Sequence, residues 1–381
     1  MLEQNVVLNA YNVKNSASLC RATVLLAFVT LAGDIKSFGQ ANPGGAAISS
    51  QTQQDQQLRT QLKQTEEMAK PKEDPQAQLL VAKPLSPDMG DVNILGDVPT
   101  QPLFFVTVDC QAFYNSNVLY ASSIADTFGA WQIITTPEIG FAPTIQDETY
   151  KMLSPRAGFR YQFFTYAQAE PPKGTFATTG PSALNFDTLN PYIGLGWKVD
   201  DDLSFDFSFQ ANLYQGSPPG SSSGRDRSTY VNFLNEYPLA WQASWSHPVE
   251  DIHSISITAR ASYVWAMPSN FERTDNNLTV SWATMPTQEI SLQFYASARL
   301  AKYTGINYDP GEVSSNYTTF NNYDRLDIQQ TYGASITWSP IEYLSLRGFV
   351  SWTKSDSTQV DETGTFEALN AGTGLNLIYR F

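Results

Sequence analysis

The sequence predicts an all-β fold, a single antiparallel up-and-down β-barrel of about 12 strands over residues 103–381. Its final stretch, Leu375-Asn376-Leu377-Ile378-Tyr379-Arg380-Phe381, is an amphipathic strand with Leu375, Leu377, Tyr379 and Phe381 on one face. Terminal residues ordinarily fray into water, so a greasy last strand belongs to a sheet that it closes. A second observation is strict alternation: Leu203, Phe205, Phe207, Phe209, Ala211 and Leu213 are interleaved with Ser204, Asp206, Ser208, Gln210 and Asn212. The same period of two runs through Ile255 to Trp265 and Ile290 to Leu300. Such strands bury one face only.

The third observation is how the connections sort by length. Strands are expected near 103–114, 129–141, 157–167, 190–199, 203–214, 231–246, 253–267, 277–284, 290–301, 325–338, 344–353 and 367–381. Most have the nine to eleven residues that a tilted strand needs to cross a bilayer. Tight turns follow the fourth, sixth, eighth and tenth: Asp200-Asp201-Asp202, residues 247–251, residues 285–289 and Ser339-Pro340-Ile341-Glu342. Long polar connections follow the odd strands, notably 168–189, 215–230 and 302–324. Only 142–156 is too long for its side, which leaves the first three strands the least defined.

Trp197, Trp245, Trp282 and Trp338 each end a strand just before a tight turn. Indole favours a position with its ring in hydrocarbon and its N–H near water, so a ring of Trp at one end of a barrel reads as a membrane-interface girdle. With these features and Gly374 ahead of it, the last strand resembles the C-terminal insertion signal of bacterial outer-membrane β-barrel proteins. The chain resembles their porin-like channels over about three quarters of its length. That resemblance implies a bacterial outer-membrane location and passive diffusion of ions or small polar solutes. Its implied partners are the lipid bilayer and the outer-membrane barrel assembly machinery, through the C-terminal strand. A homo-oligomer is left open.

Residues 1–39 read as a secretory signal peptide, with Lys14 and Arg21 ahead of an apolar core at 22–32. Residues 40–102 read as a periplasmic Gln/Pro-rich tail, helical at 51–70 and extended by Pro71, Pro75, Pro84 and Pro87. The tail is expected to be disordered, to plug the barrel or to join subunits. A formal charge of -14 and the lack of a basic stripe argue against nucleic acid. Cys110 is the one cysteine after the signal, on the apolar face, where packing is its expected role.

Polar parity assigns Arg160, Lys198, Arg260, Arg299, Arg347 and Arg380 to the lumen, facing Asp109, Asp206, Glu236 and Asp327. A hydrated, charged interior passes small solutes and sorts them by sign. Arg260 and Arg299 are expected in the upper lumen, with Arg160 and Arg347 lower, biasing passage towards anions. Phe113, Phe164, Tyr166 and Phe349 share the inward parity and narrow the tube, while Gly194 and Gly196 keep one wall open. Acidic residues Asp309, Glu312, Asp324, Asp356, Asp361 and Glu362 are expected in the long loops.

An enzyme is not expected: His247 and His253 flank a short turn, away from the rim where barrel enzymes carry their bases, and no Gly-x-Ser-x-Gly elbow occurs. No cofactor or metal is expected either. The alternatives are a non-conducting surface, structural or adhesive barrel acting through its loops, and an autotransporter-like translocator. The second departs in lacking a passenger and in its Pro-containing stretch ahead of the first strand.

Overall fold

The computed structural model describes residues 103–120, 127–147, 151–172, 180–216, 227–249, 252–267, 269–305, 324–358 and 365–381. The predicted signal peptide, the tail with its helix, and loop residues Asp309, Glu312, Asp361 and Glu362 lie outside them. The strands are β1 (Phe104–Asn115), β2 (Ala130–Phe141), β3 (Ile145–Asp147), β4 (Lys151–Gln168), β5 (Phe186–Lys198), β6 (Leu203–Gln210) and β7 (Asn212–Gly216). They continue as β8 (Val231–Pro248), β9 (His253–Met267), β10 (Arg273–Thr284), β11 (Ile290–Tyr303), β12 (Leu326–Ile341), β13 (Leu344–Ser357) and β14 (Phe366–Arg380). Every pairing is antiparallel, and β14 returns to β1 to close the barrel.

The wall has 12 strand positions, because β6 and β7 share one and β3 pairs with β4 alone. The seam runs from Phe105 opposite Arg380 to Asn115 opposite Asn370. It is locked at one end by Phe104 N–H donating to Phe381 O (2.9 Å) and Phe381 N–H donating to Phe104 O (2.9 Å). Phe104 also stacks on Phe381, with ring centroids 6.0 Å apart. This end, which carries the short turns, is the turn end, and the opposite one the loop end.

Four boundaries differ from expectation, each for a physical reason. The anomalous segment 142–156 is largely strand: β4 begins at Lys151 and forms a hairpin with β3. Pro155 lies between the last β2 partner, Phe141 opposite Ala157, and the first β3 partner, Leu153 opposite Ile145, where no donor is needed. β10 starts at Arg273, four residues early, because Arg273 and Asp275 turn inward to charged partners. β12 runs on through Pro340 with a register shift between Trp338 and Ile341, which shortens the turn to two residues. The fifth wall strand breaks at Ala211, where Pro191 on β5 and Pro238 on β8 flank it and neither has an N–H to give.

Alternation fixes the two faces. Outward positions form a continuous apolar band of exposed residues, including Val106, Ile139, Phe159, Ile193, Phe207, Leu239, Ile257, Leu278, Phe294, Ile336 and Val350. All four predicted Trp face outward at the turn end; Trp245, Trp282 and Trp338 are exposed, and Trp338 Nε1 donates to Glu289 (3.3 Å). Trp245 stacks on His247 and Trp282 on His253, so both histidines cap the girdle. A second belt, absent from the sequence reading, lies towards the loop end: Trp131 with Tyr114, Trp265 with Tyr263, and Trp352 with Tyr332. Beyond it, Lys354 and Asp356 pair on the outer face of β13 (3.8 Å), so Asp356 is a strand residue, not a loop residue.

Candidate functional site

The interior has two unlike halves. Near the loop end, Phe113, Ile134, Phe164, Tyr166, Phe186, Tyr214, Leu234 and Phe349 point inward and are joined by Val118, Phe128 and Leu184 from the connections between strands. The rings interlock, with Phe164 stacked on Phe186 at 4.2 Å and Phe113 edge-on to Phe349 at 5.6 Å. Gly372 lies between Phe113 and Phe349 in the ladder, and any Cβ there would meet Phe113. The four aromatics expected to narrow the tube thus belong to a larger apolar cluster fed by β1, β2, β4, β5, β7, β8 and β13.

The remaining wall, from the turn-end half of β8 to β13, is hydroxyl-lined and charged. Ser256 and Ser281 meet at 2.7 Å, Ser244 and Thr258 at 3.2 Å, and Thr331 and Thr353 at 3.1 Å. Inward guanidiniums meet carboxylates both on this wall and on β2, β4 and β6. Arg273 Nη1 lies 2.7 Å from Glu236 and its Nε 3.0 Å from Asp275; Arg299 Nη2 lies 2.6 Å from the same Asp275. Arg325 pairs with Asp327 (2.7 Å) and Arg160 with Glu138 (3.1 Å). Arg156 holds Asp206 through both oxygens, with Nη2 2.6 Å from Oδ1.

The predicted lumen residues fall into three groups. Arg160, Arg299, Asp206, Glu236 and Asp327 are inward and ion-paired, while Asp109 is buried and accepts from Gln111 Nε2 (2.9 Å). Lys198 and Arg380 each end a strand at the turn end; Arg380 is exposed and Lys198 pairs with Asp201 (3.8 Å). Arg347 lies near the turn end of β13, with its guanidinium over Phe349 (5.4 Å). Arg260 sits at mid-strand on β9, lower than expected, and makes no hydrogen bond or ion pair among the described residues.

Gly194 does not hold the wall open. The Arg156 side chain lies across it, and an added Cβ would stand 3.0 Å from Arg156 Nε. Arg156, Glu138, Arg273, Asp275 and Arg325 are interior charges that the sequence reading missed. For two pairs a signal exists: Arg273-Thr274-Asp275 and Arg325-Leu326-Asp327 place opposite charges two apart, on one face of a strand.

On the outer face at the loop end, Arg227 donates to Asp187 (2.9 Å) and Thr165 (3.0 Å), and Tyr161 donates to Asp187 (3.2 Å). Burial there pushes the neighbouring Tyr230 phenol up to about 12.

A closed antiparallel barrel with an apolar exterior, two aromatic belts and a polar, charged interior is an outer-membrane β-barrel, porin-like in architecture. No protein-family model matches the chain, and no curated protein matches it. Among solved structures, it is similar to an outer membrane channel from Pseudomonas putida F1, at 10% identity over 77% of this chain and 100% of that chain (TM-score 0.44). It is also similar to the beta domain of the Bordetella autotransporter BrkA, at 10% identity over 73% of this chain and 100% of that one (TM-score 0.41). A third is the NanC porin, at 8% identity over 71% of this chain and 98% of that one (TM-score 0.34).

Proposed function

We propose that the barrel is a channel for passive diffusion of ions and small polar solutes, with a mild preference for anions. The observation that carries the reading is a set of inward polar atoms without hydrogen-bond partners among the described residues. They are Gln132 Nε2, Thr188 Oγ1, Asn190 Oδ1, Gln293 Nε2, Asn370 Oδ1 and Asn376 Oδ1. Left dry, each costs about 1–3 kcal/mol, so a lumen wall built this way calls for water. The aromatic cluster narrows the loop end, and passage follows the rest of the interior, past the hydroxyls of β9 to β13 and the unsatisfied atoms of β2, β5 and β14. The guanidiniums along that route give the anion preference.

The reading is of a non-catalytic barrel, since both histidines are engaged on the outer face at the turn end. Phe381 and Tyr379, exposed on that same end, are the residues offered to the assembly machinery. The test is swelling of liposomes carrying the refolded chain, in neutral sugars of increasing mass and in potassium salts of small carboxylates. Size-limited swelling, faster for the carboxylate salts, is expected. Swelling no faster than in protein-free liposomes would favour the second reading, a non-conducting surface or structural barrel, which the interior aromatic cluster supports.

A further inference from the structure

Five interior guanidiniums are held by carboxylates, whereas Arg260 makes no hydrogen bond or ion pair among the described residues. Arg156 is matched by Asp206, Arg160 by Glu138, Arg273 by Glu236, Arg299 by Asp275 and Arg325 by Asp327. Arg260 stands in the field of two ion pairs, Asp275 with Arg299 and Asp206 with Arg156, whose carboxylates are already held. It is half-buried, so its guanidinium is partly desolvated while still reachable from the lumen.

Its neighbours are neutral amides. Asn277 on β10 and Gln242 on β8 are its direct cross-strand partners, at the separation where facing side chains touch. Asn277 Oδ1 is buried without a hydrogen-bond partner among the described residues. A partly buried cation flanked by two amides, one of them unsatisfied, is an incomplete hydrogen-bonding set.

We propose that Arg260, with Asn277 and Gln242, binds a small singly charged carboxylate at the middle of the barrel. The planar guanidinium fork matches a carboxylate through two parallel N–H···O bonds. The Asn277 N–H₂ and the second hydrogen on Gln242 Nε2, whose first is donated to Ser244 Oγ (3.1 Å), go to the remaining lone pairs, and the unsatisfied Asn277 Oδ1 accepts from a hydroxyl of the solute. A single unpaired guanidinium calls for one negative charge; a dianion would bring an uncompensated charge close to Asp206 and Asp275. The hydroxyls one step along the wall, Thr258 and Ser244, suit a solute that carries hydroxyl groups of its own.

The inference deepens the channel reading and rests on a lumen open to solvent, but not on conduction. Its test is therefore isothermal titration of the full refolded chain in detergent with sodium lactate, sodium succinate, sodium phosphate and sodium chloride as probes. Saturable lactate binding that exceeds the other three is expected, weakened at least about tenfold by Arg260→Gln. Asn277→Asp gives a second readout, because it places a carboxylate opposite Arg260 and is expected to abolish lactate binding while the barrel stays folded. Lactate binding equal in wild type and both variants, or no saturable binding in wild type, overturns the site. Binding without ionic current would overturn the channel and leave the site; current without binding would do the reverse.

Discussion

Arg273 and Glu236 face each other across the barrel interior at 2.7 Å, with 1% and 2% of their side chains exposed. Glu236 also accepts from the Tyr214 hydroxyl (3.0 Å), so this ion pair ties the aromatic cluster to the charged wall. Removing one partner leaves a buried charge short of its counter-ion, at a cost of about 3–5 kcal/mol. Glu236→Gln is expected to lose stability in that range, moderated by Asp275, which also holds Arg273. Urea unfolding in lipid vesicles measures it, and the double change Glu236→Leu with Arg273→Met is expected to recover most of the loss.

Tyr192 lies opposite Gly158 with its ring end where a Cβ would stand, and donates its hydroxyl to Glu138 (2.5 Å), where Arg160 also docks. A methyl group at residue 158 would collide with that ring. Gly158→Ala is expected to cost about 1–3 kcal/mol, whereas the same change at Gly196, where the nearest side-chain atom is 3.6 Å away, is expected to cost little. The difference in unfolding midpoint between the two variants is the check.

Two aromatic belts bracket the membrane, so the cost of an outward charge depends on its height. Leu278 lies on the outer face between the belts and Trp338 within the turn-end belt. Leu278→Arg is expected to destabilise by about 2–4 kcal/mol and Trp338→Arg by about 0–1 kcal/mol from the charge itself. Unfolding in vesicles ranks them; an equal cost would misplace the belts.

Phe381 closes the seam on Phe104 and remains exposed at the turn end. Deleting it removes its ring contacts with Phe104 and Tyr379 and three backbone hydrogen bonds, two accepted by its carbonyl and one donated by its N–H to Phe104 O. Folding in detergent is expected to persist, because the rest of the β1–β14 ladder is untouched, while insertion in membranes containing the assembly machinery is expected to slow. Time courses of heat-modifiable mobility on gels measure both.

Strand existence was legible because each strand has one apolar face, and that face survives as the exposed outer band. Strand ends were less so. Arg273 and Asp275 look like loop residues until Glu236 and Arg299, on other strands, are seen to receive them. Pro340 reads as part of a turn, yet β12 runs through it at a register shift.

The inward parity of Arg160, Asp206 and Glu236 was likewise readable from alternation. Their partners were not, because the pairs join residues 22, 37 and 50 apart in the chain, through strand neighbours that alternation alone does not fix. Arg260 becomes distinctive only once the neighbouring charges are matched.

The central claim is a hydrated passage biased by positive charge. The most direct measurement is single-channel current across a planar bilayer with the reversal potential in a potassium chloride gradient. Discrete steps with a reversal potential of the sign set by chloride, shifting towards zero in Arg260→Gln, are the predicted result. A silent bilayer with folded protein present, or a reversal potential of the potassium sign, would contradict the account.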